Sequence, residues 1–495
     1  MSLYQAIKRK ANSRSFSVSA PVGGWNTRDS FAAMPPQDAV RLDNFIPTVG
    51  ECELRKGYTE HCDPGGTNVD FLQEYNAGAN RQLIAASNSN LWNVSTGTPS
   101  SIGSGFSSDQ WEAVNFNGKF LLCNGADNEK TWDGSSLTNT SWTGITAGDF
   151  IGYGVFKNRV FGWKSSEQDF YYGELNAITG PMTKFPLSRV ARRGGNLIAF
   201  ESWTRDGGDG VDDLAVFVMS SGEVIIYQGS DPGSADNWAL VGVFHIGAPI
   251  GIRCVEQVGG KLWIATRDDY VDMETVLATG QLGVASKLSG AVQLLQDEMG
   301  NFGWEATLYK GGNLLIFNHP EGAHYRQHVI NTLTGGACRF LGLEARTWAT
   351  FNNELYFGST DGKVYQYEGK NDNGAAIVGD GQTAYTAFGT PQPKALKAVR
   401  CSIRGESTVS YGVDVGIDFA NATQPTAELA EAPTGSLWDV ALWDVALWSS
   451  GSVMNNSWLV KGGRGQDLSV RLVVNAKQDI AWLRTDYRVE IGDNL

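Results

Sequence analysis

Three histidines, His319, His324 and His328, crowd into the ten-residue run HPEGAHYRQH, and zinc sites use such short spacings together with a further Cys, His or carboxylate. The segment reads as a hairpin, where a spacing of four keeps His324 and His328 on one face but two strand steps apart, so ordinary strand and turn histidines are expected. A second cluster, RDGGDGVDD, sets Asp206, Asp209, Asp212 and Asp213 among glycines and offers the oxygen ligands that suit Ca²⁺. It lacks the EF-hand spacing and terminal Glu, and an acidic loop is the expectation. There is no P-loop, no G-x-S-x-G elbow and no H-E-x-x-H pair. We expect no catalytic residue, no metal and no cofactor.

The turns STDGKVY (359–365) and ADNEKTW (126–132) are similar to the Asp-box turns of sialidase-type propellers, which are structural and carry no catalysis. A sialidase would also need clustered arginines, a Tyr nucleophile and paired acids converging on the propeller axis, and nothing in the sequence marks such a convergence. The repeat LWDVALWDVALW (437–448) places Trp438, Trp443 and Trp448 five residues apart. That step aligns on neither a helix nor a strand, so irregular backbone is implied, and the tryptophans either anchor a subunit contact or pack back on their own domain. Lys8, Arg9, Lys10 and Arg14 form a basic arm and are candidate arm contacts.

The elements that would position these residues are β-strands. Sixty Gly, sixteen Trp and twenty-two Phe beside 19% charged residues describe an all-β, turn-rich chain of 495 residues. Seven hairpins recur, at 83–94, 117–134, 157–175, 214–229, 259–271, 311–331 and 352–369, each a strand, an Asn- or Gly-bearing turn and an aromatic-containing strand. Their irregular spacing suits propeller blades, six or seven of them, better than a solenoid. Val284, Leu288, Val292 and Leu295 form a helical stripe, which predicts one helical insert over 282–299. Asp38 is expected to cap a single helical turn, ahead of a turn at 47–50 and a strand over 51–56. Strict alternation from Val409 to Phe419, with LSVRLVV (468–474) and DYRVEI (486–491), predicts a C-terminal β-sandwich or barrel-like domain. The expected division is a basic arm 1–20, an extended segment 21–68 joining the propeller or a platform, the propeller 69–385 and the C-terminal domain 386–495.

Charge is uneven: +4 over the first twenty residues, −2 over 386–495 and therefore −16 in between, within a total of −14. An acidic body argues against gripping DNA, because duplex affinity comes mainly from Lys and Arg neutralising phosphates. It is compatible with DNA sliding past. The six cysteines are scattered without a C-x-x-C pair, so free thiols are expected. Neither a secretory leader nor a membrane span is expected, since no run of eighteen apolar residues occurs.

Three stretches, GGWNTRDSFAAMPPQDAVRLDNFIP (23–47) with ECELRKGY (51–58), GSDPGSADNWALVGVFHIGAPIGIRC (229–254) and VINTLTGGACRFLGLEARTWATFNNELYFGSTDGKVYQY (329–367), resemble the propeller-containing tail nozzle or hub proteins of podoviruses, also described as tail tubular or DNA-stabilisation proteins. The WDVALWDVALW repeat is similar to the C-terminal region of the same family. The resemblance implies a non-enzymatic virion protein of the bacteriophage tail, made in the host cytoplasm. It further implies a homo-oligomeric, usually hexameric, ring in the head-to-tail connector region below the portal and its adaptor ring, to which tail fibres or tip proteins attach. DNA would pass through the lumen, without sequence-specific binding, during ejection. Trp25 and Arg28 join the three repeat tryptophans as candidate subunit or partner contacts. The alternative reading is a glycan-binding or sialidase-like propeller that recognises a host receptor.

Overall fold

The computed structural model describes residues 13–206, 211–431 and 453–492, which divide into two compact units. Lys8, Arg9, Lys10, Asp209, Trp438, Trp443 and Trp448 lie outside the described residues.

Residues 58–332 and 341–368 make a β-propeller. The seven hairpins read from the sequence are the central strand pairs of its repeated antiparallel meanders, such as Asn80–Ser87 with Asn90–Asn93 and Glu354–Ser359 with Val364–Gln366. Tight two-residue turns build them. Asn88 and Ser89, Lys157 and Asn158, and Asn352 and Asn353 all have positive φ, the conformation whose twist matches that of the strands it joins. Six blades are sheets of their own, spanning 71–104, 112–139, 150–185, 197–245, 255–272 and 345–366. The antiparallel meander Glu305–Asn331 takes the remaining place, its first strand lying between Val255–Val258 and Ala345–Phe351. Thr59–Cys62 completes the last blade by pairing with Val364–Gln366, so the beginning of this unit latches onto its end.

The aromatic content of the sequence is spent between blades. Phe161, Phe170, Phe200, Phe217 and Trp238 share one buried cluster, with Phe170 stacked on Phe217 at 4.5 Å between centroids. Trp203 is fully buried and donates its indole N–H to the Gly260 carbonyl of the next blade at 2.8 Å.

The single helix expected over 282–299 is not formed. Two short helices, α1 (Met273–Thr279) and α2 (Ser289–Gln293), are followed by a 3-10 turn at Gln296–Glu298. Asp272 caps α1 by accepting from the Glu274 amide, and Gly280 ends it in the left-handed region at φ 70°. Leu288, Val292 and Leu295 are buried as the stripe requires, but Val284 is 87% exposed. Gly283 and Ser286 precede α2, and the Ser286 amide is held by the Asp269 carboxylate at 2.6 Å, which fixes a non-helical loop there.

The second unit gathers residues 13–57, 333–340 and the described part of 369–492. One sheet contains Lys394–Gly405, Ile480–Ile491, Cys52–Leu54, Phe45–Pro47 and the N-terminal strand Ser13–Ser19; the other contains Asp38–Asp43, Ile377–Thr383, Leu468–Lys477 and Tyr411–Ile417. The strands foreseen within 409–419, 468–474 and 486–491 are all present. The sheets pack face to face, and Gly381 lets them approach: a β-carbon there would meet the Trp482 ring at 2.8 Å. Asp38 does not cap a helical turn. It begins a strand and accepts a hydrogen bond from the Asn26 amide group at 2.8 Å, both side chains being buried. All six cysteines are free and buried, and burial raises their thiols, those of Cys62, Cys254 and Cys401 to about 12.

Candidate functional site

The first strands of the meanders, Phe71–Ala77, Glu112–Phe116, Phe150–Phe156, Leu197–Asp206, Val255–Val258, Glu305–Tyr309 and Ala345–Phe351, line an axial cavity of about 770 Å³. Its lining is acidic. Glu74, Glu112, Glu201, Glu256 and Glu305 reach it, each from a different blade, against the two cations Arg253 and Lys310 among the described lining residues.

Arg253 is the organising cation. Its Nε donates to Glu112 at 2.6 Å, Nη1 to Glu305 at 3.3 Å and to the Thr347 hydroxyl at 3.2 Å, and Nη2 to the Trp111 carbonyl at 2.7 Å. These partners belong to three blades, so one guanidinium ties together strands that are distant in sequence. The two neighbouring carboxylates hold its proton more firmly than burial loosens it. Burial raises the Glu305 carboxyl in spite of Arg253, and Glu305 also accepts from the Trp348 amide at 3.2 Å. Glu74 pairs with Arg81.

Glu201 and Glu256 stand on adjacent inner strands without such a cation. Burial pushes Glu201 up to about 7, moderated by the Ser202 amide that donates to it at 3.1 Å. Burial pushes Glu256 up to about 8, reinforced by the charges of Glu201 and Glu305 and opposed by Lys310. The pair therefore exchanges protons around neutral pH. What the arrangement offers is charge and hydrogen-bond acceptors, one of which, Glu305, also accepts from the Thr307 hydroxyl at 3.1 Å.

The histidine cluster is divided. His319 and His328 are buried with ring centroids 4.4 Å apart, and His328 Nδ1 lies 2.8 Å from the Tyr270 hydroxyl. His324 is at the surface, 3.0 Å from Glu344, and no group of metal-ligating side chains forms among the described residues. Asp213 is engaged by Lys157 and by the Thr204 hydroxyl at 2.9 Å. In STDGKVY, Asp361 accepts from the Tyr365 hydroxyl at 2.7 Å and from the Lys363 amide, and in ADNEKTW Asp127 accepts from the Ser107 amide at 2.8 Å. Both are structural turns.

Among the candidate contacts in the second unit, Trp25 is buried. Its indole N–H donates to the Val40 carbonyl at 3.1 Å, and the Arg339 guanidinium sits 5.3 Å from its ring. Arg28 is partly exposed and grips Asp29 with two hydrogen bonds of 2.8 and 3.0 Å. Arg14 is exposed on the strand Ser13–Ser19, opposite Val489. Sequence reasoning did not single out Arg253 or the axial glutamates. The signal of the glutamates is an acid on five of the seven first strands, in QEYN, EAVNF, FESW, VEQV and EATLY.

No family model matches the chain, and no curated protein does. Among solved structures it is similar to the computationally designed protein Ika8, at 12% identity and a TM-score of 0.39, covering 66% of this chain and 96% of that one. It is likewise similar to the WD40 β-propeller domain of Doa1, at 11% identity and a TM-score of 0.39 over 63% and 96% of the two chains. The β-propeller domain of Cps50 (Swd1) from Myceliophteria thermophila gives 13% identity and a TM-score of 0.40 over 63% and 99%. None of these likenesses bears on what the axial cavity does.

Proposed function

We propose that the chain is a non-enzymatic structural subunit of a short-tailed bacteriophage tail, assembling into a nozzle-type ring, hexameric by the resemblance, below the portal and adaptor. The observation that carries this reading is the meeting of two resembling stretches far apart in sequence. Asp43, from the first, lies in register with Arg339, from the third; Arg339 donates to Asp43 at 2.9 Å and covers Trp25. Arg55, also from the first stretch, is fixed by Asp372 at 2.7 and 2.8 Å. Residues 333–340 of the third stretch thus fold into one module with the first, as descent of the whole module would leave them.

The physics of the role is consistent with the chain. A net charge of −14 favours a lumen to which a duplex does not adhere, and a cyclic ring requires a heterologous interface of the kind that exposed aromatic side chains anchor. Tail fibres or tip proteins would attach to the outside of such a ring. Electron microscopy of the purified chain at high concentration, or of virions containing it, should show closed rings. A monodisperse monomer that binds no tail component would overturn the reading, and saturable binding or hydrolysis of a sialoside would move the chain to the glycan-recognising propellers.

A further inference from the structure

We propose that the outer face of the sheet built from Ser13–Ser19, Ile480–Ile491, Lys394–Gly405 and Leu459–Gly465 is a contact surface for the phosphate backbone of duplex DNA. The ring reading makes no use of this face, and the proposal holds or fails without it.

Register assigns the side chains. Directly opposed residues of antiparallel strands share a side of the sheet. Ser15, Arg488, Ala398 and Val460 therefore stand in one row, Ser17, Asp486 and Arg400 in the next, and Ser19, Arg484 and Ser402 beyond them. Ser13, Glu490, Ala395 and Arg464 form the row at the other end. The opposite side of the same strands carries Trp482, Tyr487, Val489, Val399 and Leu396, all buried in the core. Lys397, in the bulge between Leu396 and Ala398, reaches Glu490 at 3.0 Å and so joins the outer side.

Five cations, Lys397, Arg400, Arg464, Arg484 and Arg488, thus face two carboxylates, a local balance of 5 − 2 = +3 in a chain of −14. Asp486 is buried and is shared by Arg400 at 2.7 Å and Arg484 at 3.5 Å, one carboxylate between two guanidiniums. Arg464 and Arg488 are exposed, with no carboxylate within ion-pair distance among the described residues; Arg488 donates to the Ser13 hydroxyl at 3.4 Å. At the far end of the sheet Arg404 is engaged by Glu51, beside Glu53, so the positive charge is concentrated opposite Ser13–Ser19. The sequence adds to it independently: the first twenty residues contain Lys8, Arg9, Lys10 and Arg14 and no acid.

The chemistry favours a polyphosphate over an acidic protein surface. Four of the five cations are guanidiniums, whose N–H fork fits phosphate oxygens. Serines at every second position of Ser13–Ser19 set hydroxyls along the face at a step of about 6.7 Å. A protein partner would need an apolar centre, whereas the exposed large apolar side chains here lie along one border, at Met454, Trp458 and Val460. Backbone contact carries no sequence preference and is released by salt, so a duplex is held loosely while the acidic remainder of the chain repels it.

Fluorescence anisotropy of a labelled duplex of about 20 base pairs, titrated with the full chain, tests this. Saturable binding is expected with a Kd on the order of 10 µM at about 50 mM NaCl, weakening about 40-fold by about 200 mM, as release from roughly three phosphates requires. A·T and G·C duplexes should bind equally. R464Q/R484Q/R488Q should bind at least about tenfold more weakly, its salt slope flattened by about one for each arginine replaced. If that variant fails to fold, R488Q alone and the wild-type salt slope decide. Absence of saturable binding, a Kd independent of salt, undiminished binding by a folded variant, or displacement by polyglutamate as readily as by unlabelled duplex would each overturn the proposal. Closed rings that bind no duplex would overturn it and leave the ring reading standing.

Discussion

Desolvation by the surrounding blades raises the carboxyls of Glu201 and Glu256, and this couples folding to pH. Both carboxyls titrate higher in the folded chain than in the unfolded one. Their contribution to stability is therefore complete below the ordinary carboxylate range, and it is lost as pH rises through about 7 for Glu201 and about 8 for Glu256. Glutamine at both positions removes the titration while keeping the shape. Relative to E201Q/E256Q, the wild-type thermal midpoint should fall by a few degrees as pH is raised from about 6 to about 9, each pK unit being worth about 1.4 kcal/mol. Parallel midpoints across that range would show that the pair is solvated. Glu305 is raised by burial too, but there the Arg253 guanidinium at 3.3 Å opposes the shift.

Interlocked meanders are the unit of stability one level up. Trp203 fills the space between two blades and anchors itself to the Gly260 carbonyl, so Trp203→Ala leaves a cavity and an unanswered carbonyl together. It should cost about 3–5 kcal/mol in urea unfolding, and a loss below about 1 kcal/mol would mean that the blades collapse onto the gap. The hairpins themselves were legible in the sequence because their turns are local: Asn88, Asn158 and Asn352 announce positive φ within a few residues of the strands they join. The helix was misread for the complementary reason. Its apolar period is real at Leu288, Val292 and Leu295, but Asp269, outside the segment, captures Ser286 and prevents the first turns from forming. The axial glutamates were illegible as a site because each is one acid in one strand. Only ring closure brings them to a common cavity, and Arg253 recruits partners from more than fifty to about 140 residues away.

For the molecule as a whole, the latch matters most. Thr59–Cys62 donates the final strand of the last blade, so the ring is closed by pairing between segments some three hundred residues apart. Deleting residues 59–62 from the full chain should remove hydrogen-exchange protection from Val364–Gln366 while sparing Val211–Met219 and Glu223–Gly229, whose ladder is internal to its own blade. Retained protection at Val364–Gln366 would show that the blade stands without its latch. The sequence puts the boundary near 385, within a Gly- and Pro-containing stretch over 371–393, whereas the chain's contacts divide at 368 and send 333–340 to the second unit. No local signal announces that excursion, since it depends on contacts with distant N-terminal residues, such as Asp43 in register with Arg339 and the Asn44 amide donating to the Arg339 carbonyl at 2.7 Å.

The N-terminal strand Ser13–Ser19 carries a consequence for how the protein is made. Its partner is Arg484–Glu490, and Ser17 donates to Asp486 at 2.5 Å across a separation of 469 residues. A ribosome adding roughly 5–20 residues each second would leave that strand without its ladder for about half a minute or longer. A nascent edge of this kind invites wrong pairing with other chains. Four of its seven residues are serine and a fifth is Arg14, so the segment waits in water at little risk, and the polarity that looks wasted in the finished sheet is a property suited to its synthesis.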